Sequence, residues 1–205
     1  MAAVVRRTMK LQIMSDLHLV MHADGGAELI RELDPTCVDV LVLAGDITTA
    51  RYYENLEKPF KTPAQKYRHI LYVPGNHEYY KSSPSQVTRN LAKLTKALPG
   101  VVIPQTDAVM IAGQRFVAGT MWFRADATAD QSKRLMHDFS LIQDFEPWVY
   151  EQNAVFEQVK ALDSRTLSRP VRLLTRNDPR GGEPTRYPSE PRSLEAFDPA
   201  FQIEV

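Results

Sequence analysis

Three short apolar runs in the first third of the chain have the pattern of β-strands. Residues 10–15 alternate apolar and polar side chains, which predicts a strand. Residues 39–44 (DVLVLA) and 70–73 (ILYV) are nearly unbroken apolar runs. Runs of this kind are typical of central strands that are buried on both faces of a parallel sheet.

Helical segments separate and follow these runs. Residues 27–33 are predicted to form a short helix, and residues 51–60 have a weaker helical pattern. Residues 85–98 carry an apolar stripe at helical spacing, formed by Val87, Leu91, Leu94 and Leu98. The alternation of strand and helix at this spacing predicts a parallel α/β sheet.

The pattern changes beyond residue 100. Residues 101–103, 109–111 and 115–120 are predicted to be short strands, with a hairpin turn at Gly113-Gln114. Pro147 is predicted to begin a further helix. From Ser164 the composition shifts towards Arg and Pro, and residues 171–175 (VRLLT) form the one convincing strand. We expect part of this region to be disordered, because little in it can hold a core.

Composition and charge narrow the class of protein. The 205 residues are 43% hydrophobic and 24% charged, which is ordinary for a globular domain with a substantial core. The 25 basic and 25 acidic residues balance, which disfavours nucleic acid and membrane surfaces as partners. The single cysteine, Cys37, permits no intrachain disulfide, fits a cytoplasmic location, and is expected to be a small buried residue. We identify no signal peptide and no membrane span.

A polar cluster follows each of the three predicted buried strands. Because the carboxyl ends of parallel strands meet at one edge of a sheet, these clusters should converge. Their members are Asp16 and His18, then Gly45-Asp46, then Gly75-Asn76-His77-Glu78. Each cluster alone is common in ordinary loops. Together they offer carboxylate, imidazole and amide ligands, which suit Mn, Fe or Zn and predict a metal site.

The same residues resemble the first three motifs of the calcineurin-like metallophosphoesterase superfamily. The flanking segments MSDLHL, DVLVLAGDI and YVPGNHEYY strengthen the resemblance, and RFVAGTMW and the stretch around Met136-His-Asp-Phe139 continue it more loosely. The resemblance covers residues 10–163, so we assign residues 1–163 to a metallophosphoesterase domain. It implies an α/β/β/α sandwich in the α/β class and a hydrolase that uses two divalent metal ions.

The resemblance also implies a role for each site residue. Asp16 and His18 would hold one metal ion, Asp46 would bridge two ions, and Asn76 would hold the second. His77 would be catalytic, placed near the leaving group as an acid or as a stabiliser of charge. A metal-bound hydroxide would attack the phosphorus atom of a small phosphomonoester or phosphodiester.

Two later motifs of the family do not have their expected residues. The family has a histidine at the end of a later strand and then Gly-His-x-His, but none of the five histidines follows His137. In VRLLTRNDP, Arg176 and Asn177 occupy the positions where the resemblance expects histidines. We therefore expect a C-terminally incomplete fold, with residues 164–205 a degenerate or truncated continuation, and at most one tightly held metal ion.

The remaining histidines have simpler interpretations. His22 is expected in a loop, with contact to substrate as the alternative. His69 is expected at the surface. His137 is expected to make a structural hydrogen bond, with replacement of a missing metal ligand as the alternative.

Two hypotheses for the function therefore remain open. The first is a metal-dependent phosphoesterase. The second is a catalytically impaired member of the same family that binds a phosphate ligand or a partner without efficient hydrolysis.

Overall fold

A sheet of four parallel strands forms the centre of the N-terminal half. The computed structural model describes residues 9–104, 108–122, 133–134, 136–163, 171–176 and 201–204. The strands lie in chain order: β1 (Leu11–Met14), β2 (Val40–Ala44), β3 (Ile70–Val73) and β4 (Val101–Val102). Val42 pairs with Ile13 on one side and with Leu71 on the other. All four strands therefore end at the same edge of the sheet.

Helices connect these strands. They are α1 (Ala27–Glu32), α2 (Tyr53–Lys66) and α3 (Pro84–Ala97). The start of α3 follows from its sequence, because Pro84 occupies the first turn and the Ser83 side chain accepts the Gln86 N–H at 3.4 Å. The predicted apolar stripe of α3 is confirmed, since Val87, Leu91 and Leu94 are buried.

A second, mixed sheet contains β5 (Ala108–Ile111), β6 (Gln114–Met121), β7 (Val171–Arg176) and β8 (Phe201–Glu204). β5 and β6 form an antiparallel hairpin, β7 is parallel to β6, and β8 is antiparallel to β7. Two further helices, α4 (Asp138–Leu141) and α5 (Trp148–Asp163), precede β7, and α5 contacts β6.

The two central strands of the first sheet, β2 and β3, are covered on both faces. Alternate residues of β2 and β3 pack between the two sheets, in a cluster of Val40, Val42, Ala44, Leu71, Val73, Ile111, Phe116 and Ala118. The intervening residues pack with the helices, in a cluster that includes Leu41, Leu43, Ile70, Tyr72, Leu56, Phe60, Leu91 and Leu94. This arrangement confirms the predicted α/β class and the sandwich of two sheets between helices.

Several local predictions differ from the structure. β4 joins the parallel sheet instead of beginning the second group of strands, and α2 runs beyond the predicted residue 60 to Lys66. Cys37 is exposed, with a left-handed φ of 63°, so its predicted burial is wrong. Residues 201–204 form a strand that the sequence did not predict. Within the described residues, no helix has the length and apolar character needed to cross a bilayer.

Candidate metal centre

The loops that follow β1 and β2 are joined by backbone hydrogen bonds. Asp16 N donates to Gly45 O at 3.0 Å, His18 N donates to Asp46 O at 2.9 Å, and Leu19 N donates to Ile47 O at 2.8 Å. The ladder between the two strands therefore continues into the loops. It brings the first two predicted clusters side by side at the carboxyl edge of the sheet.

Three of the predicted metal ligands have a left-handed backbone. The φ angles are 54° at Asp16, 44° at His18 and 55° at Asp46. This region is sparsely populated by residues other than glycine and costs about 1–3 kcal/mol per residue. The coincidence of three such residues at neighbouring strand ends is typical of a functional site, where the surrounding structure maintains the strain.

His18, Asp46 and His77 come together in a potential metal-binding cluster. One ligand atom from each lies within 4.8 Å of the others. The rings of His18 and His77 are 4.3 Å apart between centroids, at an interplanar angle of 62°. The Asp46 carboxylate also accepts the backbone N–H of His77 at 3.0 Å, which ties the loop after β3 to the loop after β2.

The electrostatics of this cluster suit a cation. Burial, and then repulsion from Glu78, raises the pKa of Asp46 well above its usual range, and Asp16 and Asp138 add to the repulsion. Burial lowers the pKa of His77 to about 4, with a further contribution from His18, and burial also lowers the pKa of His18. Both imidazoles are therefore neutral at pH 7, which is the form that binds metal ions.

Asn76 lies at the edge of the cluster with its amide nitrogen already engaged. Nδ2 donates to Tyr80 Oη at 2.7 Å and to Asp138 Oδ1 at 2.9 Å. An asparagine amide has two N–H groups and one carbonyl oxygen. The two contacts use both N–H groups and leave Oδ1 as the atom that can bind a cation.

Glu78 holds the strand-end loops together from inside the protein. Its carboxylate is fully buried. It accepts hydrogen bonds at 2.7–3.2 Å from Asp46 N, Ile47 N, Thr48 N, Gly75 N and Tyr72 Oη. Burial raises the pKa of Glu78, and the hydrogen bonds from Tyr72 and the backbone oppose that rise. The side chain thereby fixes the position of Asp46 relative to the end of β3.

Gly75 is required by the close approach of two loops. A Cβ atom at this position would collide with Asp46 Oδ1 and would lie 2.6 Å from Asp46 N. Both distances are shorter than real Cβ contacts permit. A side chain at position 75 would therefore displace the central carboxylate of the cluster.

The remaining residues that the sequence analysis considered for the site lie outside the cluster of His18, Asp46 and His77. Asp16 is exposed and is not part of the three-residue cluster, although its charge acts on both His18 and Asp46. His22 makes a 3.0 Å contact from Nε2 to Leu17 O, and His137 is exposed. Arg176 is opposite Met121 at the end of β7.

The structure tests little of the prediction that Arg176 and Asn177 replace two histidines. Asn177 lies outside the described residues. For Arg176, the structure describes the backbone position only.

Comparison with known families identifies the fold. The sequence model of the calcineurin-like phosphoesterase superfamily domain matches residues 9–139. The chain belongs to this superfamily. The match spans β1 to the first turn of α4, so it includes all three strand-end clusters, and it confirms the resemblance seen in the sequence.

The individual relatives of this chain are distant. An uncharacterized protein of Acanthamoeba polyphaga mimivirus is 26% identical over 145 residues, which cover 65% of this chain. The chain spans about half the length of that viral protein, 51%. The crystal structure of phosphopantetheinyl hydrolase from Mycobacterium tuberculosis has a TM-score of 0.58 at 15% identity, covering 82% of this chain and 68% of that one. A second solved structure has a TM-score of 0.51 at 14% identity, with the same coverage of both chains.

The donor set of this member of the superfamily fits a divalent metal ion. A half-buried carboxylate, two neutral imidazoles and an amide oxygen are suitable ligands for Mn, Fe or Zn. The sequence analysis placed Glu78 in the third cluster without assigning it a role, and it missed Asp138 as a member of the site. Glu78 was visible as the acid that ends Gly-Asn-His-Glu, and Asp138 as the acid beside His137, but no local pattern shows what either carboxylate contacts.

Proposed function

We propose that the protein is a metal-dependent phosphoesterase that hydrolyses a small phosphomonoester or phosphodiester. The observation that carries this proposal is the convergence of His18, Asp46 and His77 within 4.8 Å in a chain of the calcineurin-like phosphoesterase superfamily. The left-handed backbone of His18 and Asp46 supports it, because the fold maintains a strained conformation where the ligands are needed.

The proposed metal ligands are Asp16, His18, Asp46 and Asn76. Asp46 is central, because its carboxylate lies between the loop after β1 and the loop after β3 and is held by the His77 N–H. Asp16 is exposed and would approach the ion from the solvent side. A divalent metal ion at this position would supply an activated water molecule and would offset the negative charge that develops on the phosphoryl oxygens.

We assign His77 to the leaving group of the substrate. Because burial lowers its pKa to about 4, the free ring is neutral at pH 7 and can donate a hydrogen bond through N–H. The negative charge of a bound phosphate would favour the protonated ring, and His77 could then give a proton to the departing oxygen. The His18 and Tyr80 rings pack against His77 at centroid distances of 4.3 and 4.4 Å and restrict its orientation.

The second candidate function is binding of a phosphate ester without efficient hydrolysis. It is motivated by β7, which ends in Arg176 where the superfamily resemblance expects a histidine. Arginine in place of histidine removes a metal-binding imidazole and adds a positive charge, which favours a phosphate ligand over a second cation. The two candidates share the phosphate ligand and differ in turnover.

Replacement of Asp46 tests the proposal. We expect Asp46→Asn to lower the bound metal content and the hydrolysis of p-nitrophenyl phosphate together, because the amide lacks the charge that holds the cation. The matched control is Asp144→Asn, since Asp144 is an exposed aspartate that also has a left-handed φ, of 53°. Metal content and turnover should stay at the wild-type level in the control. Wild-type metal content and turnover in Asp46→Asn would refute the central role of Asp46.

The same measurements separate the two candidate functions. Binding of p-nitrophenyl phosphate without release of p-nitrophenol by the metal-loaded wild-type protein would favour the second candidate.

A further inference from the structure

A buried carboxylate outside the proposed ligand set contacts the candidate metal centre. Asp138 is 4% exposed although it begins the short helix α4. It accepts a hydrogen bond from the Asn76 amide at 2.9 Å, and it is also hydrogen-bonded to the Tyr80 hydroxyl. The Tyr80 hydroxyl in turn accepts from the Asn76 amide at 2.7 Å. The three side chains therefore form a closed hydrogen-bonded ring.

This ring determines which atom of Asn76 is available. With both N–H groups bound, only the carbonyl oxygen remains for a ligand. A 180° rotation of the amide would place that oxygen against the Asp138 carboxylate and would break the bond from Nδ2 to each partner. Asp138 has no donor when it is ionised, so it favours the orientation that is observed.

The hydrogen-bonded ring of Asn76, Tyr80 and Asp138 is also linked to His77, through the aromatic side chain of Tyr80. The rings of Tyr80 and His77 are 4.4 Å apart between centroids, at an interplanar angle of 32°. A hydrogen bond that holds the Tyr80 hydroxyl therefore also restricts the face on which His77 packs. One carboxylate thus influences both functional side chains of the loop after β3.

The position of Asp138 is fixed by backbone contacts. Lys81 N donates to Leu141 O at 2.8 Å, and Gln143 N donates to Ser82 O at 2.9 Å. These bonds attach both the end of α4 and the residues after it to the chain that directly follows Tyr80. The attachment brings together two residues, Asn76 and Asp138, that are 62 positions apart in the sequence.

We propose that Asp138 is a positioning residue of the metal centre, which acts through Asn76 and Tyr80 to present Asn76 Oδ1 to a divalent cation. This inference rests on the proposed function, in which Asn76 is a metal ligand. Partners that hydrogen-bond to metal ligands typically contribute about 10- to 100-fold to metal affinity. Loss of the Asp138 carboxylate should reduce the affinity of the site by a factor in that range.

The first experiment is a calorimetric titration of chelator-stripped protein with Mn²⁺. We expect Asp138→Ala to weaken Mn²⁺ binding by about 10- to 100-fold. Tyr80→Phe, which keeps the ring and removes the hydroxyl, should weaken it in the same direction and decides the question if Asp138→Ala does not fold. The control is His137→Ala, because His137 precedes Asp138 and is exposed. It should bind Mn²⁺ like the wild type.

The second experiment observes the Asn76 side-chain amide by NMR in the metal-free protein. The signal is assigned by its absence in Asn76→Ala. In Asp138→Ala the two amide proton shifts should move towards those of a solvent-exposed asparagine, whereas in His137→Ala they should not move. This readout depends on neither metal nor activity.

The outcomes separate the inference from the proposed function. Wild-type Mn²⁺ affinity in a folded Asp138→Ala variant whose Asn76 signal has moved would overturn the positioning role. Unchanged amide shifts would overturn it as well. If the wild-type protein binds no Mn²⁺, the proposed function fails, and the amide shifts alone then support or overturn the effect of Asp138 on Asn76.

Discussion

At the scale of single residues, the candidate centre depends on side chains whose charge is set by burial. His77 shows this most clearly, because burial and the neighbouring His18 lower its pKa to about 4. A neutral imidazole can serve either as a metal ligand or as a hydrogen-bond donor to substrate. Its ring lies with His18 and Asp46 in the cluster, so its assignment to the leaving group needs a direct test.

Replacement of His77 distinguishes the two roles. We expect His77→Ala to reduce turnover roughly 10²- to 10⁴-fold, the range for loss of an acid–base group, while metal content stays close to that of the wild type. Steady-state kinetics and elemental analysis of the same preparation measure both quantities. His69→Ala is the control, because this histidine precedes β3, at the opposite end of the strand. A loss of metal from His77→Ala would make His77 a ligand.

The residue types at the site were predictable, and their partners were not. Each predicted site residue follows a strand of the parallel sheet, and this position marks Asp16, His18, Asp46, Asn76 and His77. The partner of Asn76, Asp138, comes from a separate part of the chain and depends on how α4 attaches to the residues after Tyr80. Contacts of this kind follow from tertiary packing, which a local sequence pattern does not contain.

At the scale of elements, the junction between β3 and the following turn leaves no room for a side chain at Gly75. We expect Gly75→Ala to lower both metal content and thermal stability, because its Cβ would collide with the Asp46 carboxylate and backbone. Gly113→Ala is the comparison. Its Cβ would meet nothing within 4 Å, so backbone strain at its φ of 84° should affect stability and leave metal content unchanged. Wild-type metal content in Gly75→Ala would show that the loop adjusts without displacing Asp46.

Glu78 connects the loop after β2 with the loop after β3, so its replacement should lower the stability of the folded protein. We expect Glu78→Gln to destabilise the protein by about 2–3 kcal/mol, because a buried amide cannot accept from four backbone N–H groups and Tyr72 as a carboxylate does. Urea denaturation measures the change. Glu57→Gln, an exposed substitution on α2, should stay within about 0.5 kcal/mol of the wild type. Equal stability of the two variants would contradict the role assigned to Glu78.

The helix α2 shows why some elements were only weakly predictable. It contains Pro59 and Pro63, which normally interrupt a helix because proline lacks an N–H. The carbonyl that Pro59 leaves without its helical partner belongs to Asn55, and the Thr48 hydroxyl donates to that oxygen at 3.3 Å. Burial of Leu56, Phe60 and Pro63 further favours the helix. Both the Thr48 contact and the burial of Pro63 arise from tertiary packing, which the local pattern does not contain.

At the scale of the whole molecule, the carboxyl end of β6 lies beside the carboxyl end of β3, although the two strands belong to different sheets. The Thr120 hydroxyl, near the end of β6, donates to Pro74 O, directly after β3, at 2.5 Å. β7 is parallel to β6 and places the backbone of Arg176 opposite Met121, one residue beyond Thr120. The superfamily resemblance predicted this sandwich correctly. It did not predict β8, since residues 201–204 follow a region rich in Arg and Pro that lacks a strand pattern of its own.

The number of metal ions held by the molecule follows from the residues at that common edge. We predict at most one tightly held transition metal ion per chain, with Mn, Fe or Zn as the candidates. Asp16, His18 and Asp46 offer three ligands of mixed type to a first ion, whereas Asp46 and Asn76 alone would hold a second. A neutral amide and a shared carboxylate bind a second divalent ion weakly, and the first ion repels it. We therefore expect Asn76 Oδ1 to join Asp16, His18 and Asp46 around a single ion.

Elemental analysis after exhaustive dialysis measures this number, with Asp46→Asn as the variant that should retain the least metal. One equivalent or less per wild-type chain is the expected result. Two retained equivalents would contradict the prediction and would require further ligands. His77 is the nearest candidate in that case, because its ring already lies within 4.8 Å of the His18 and Asp46 ligand atoms. Repeating the analysis on His77→Ala would then show whether the second equivalent depends on that ring.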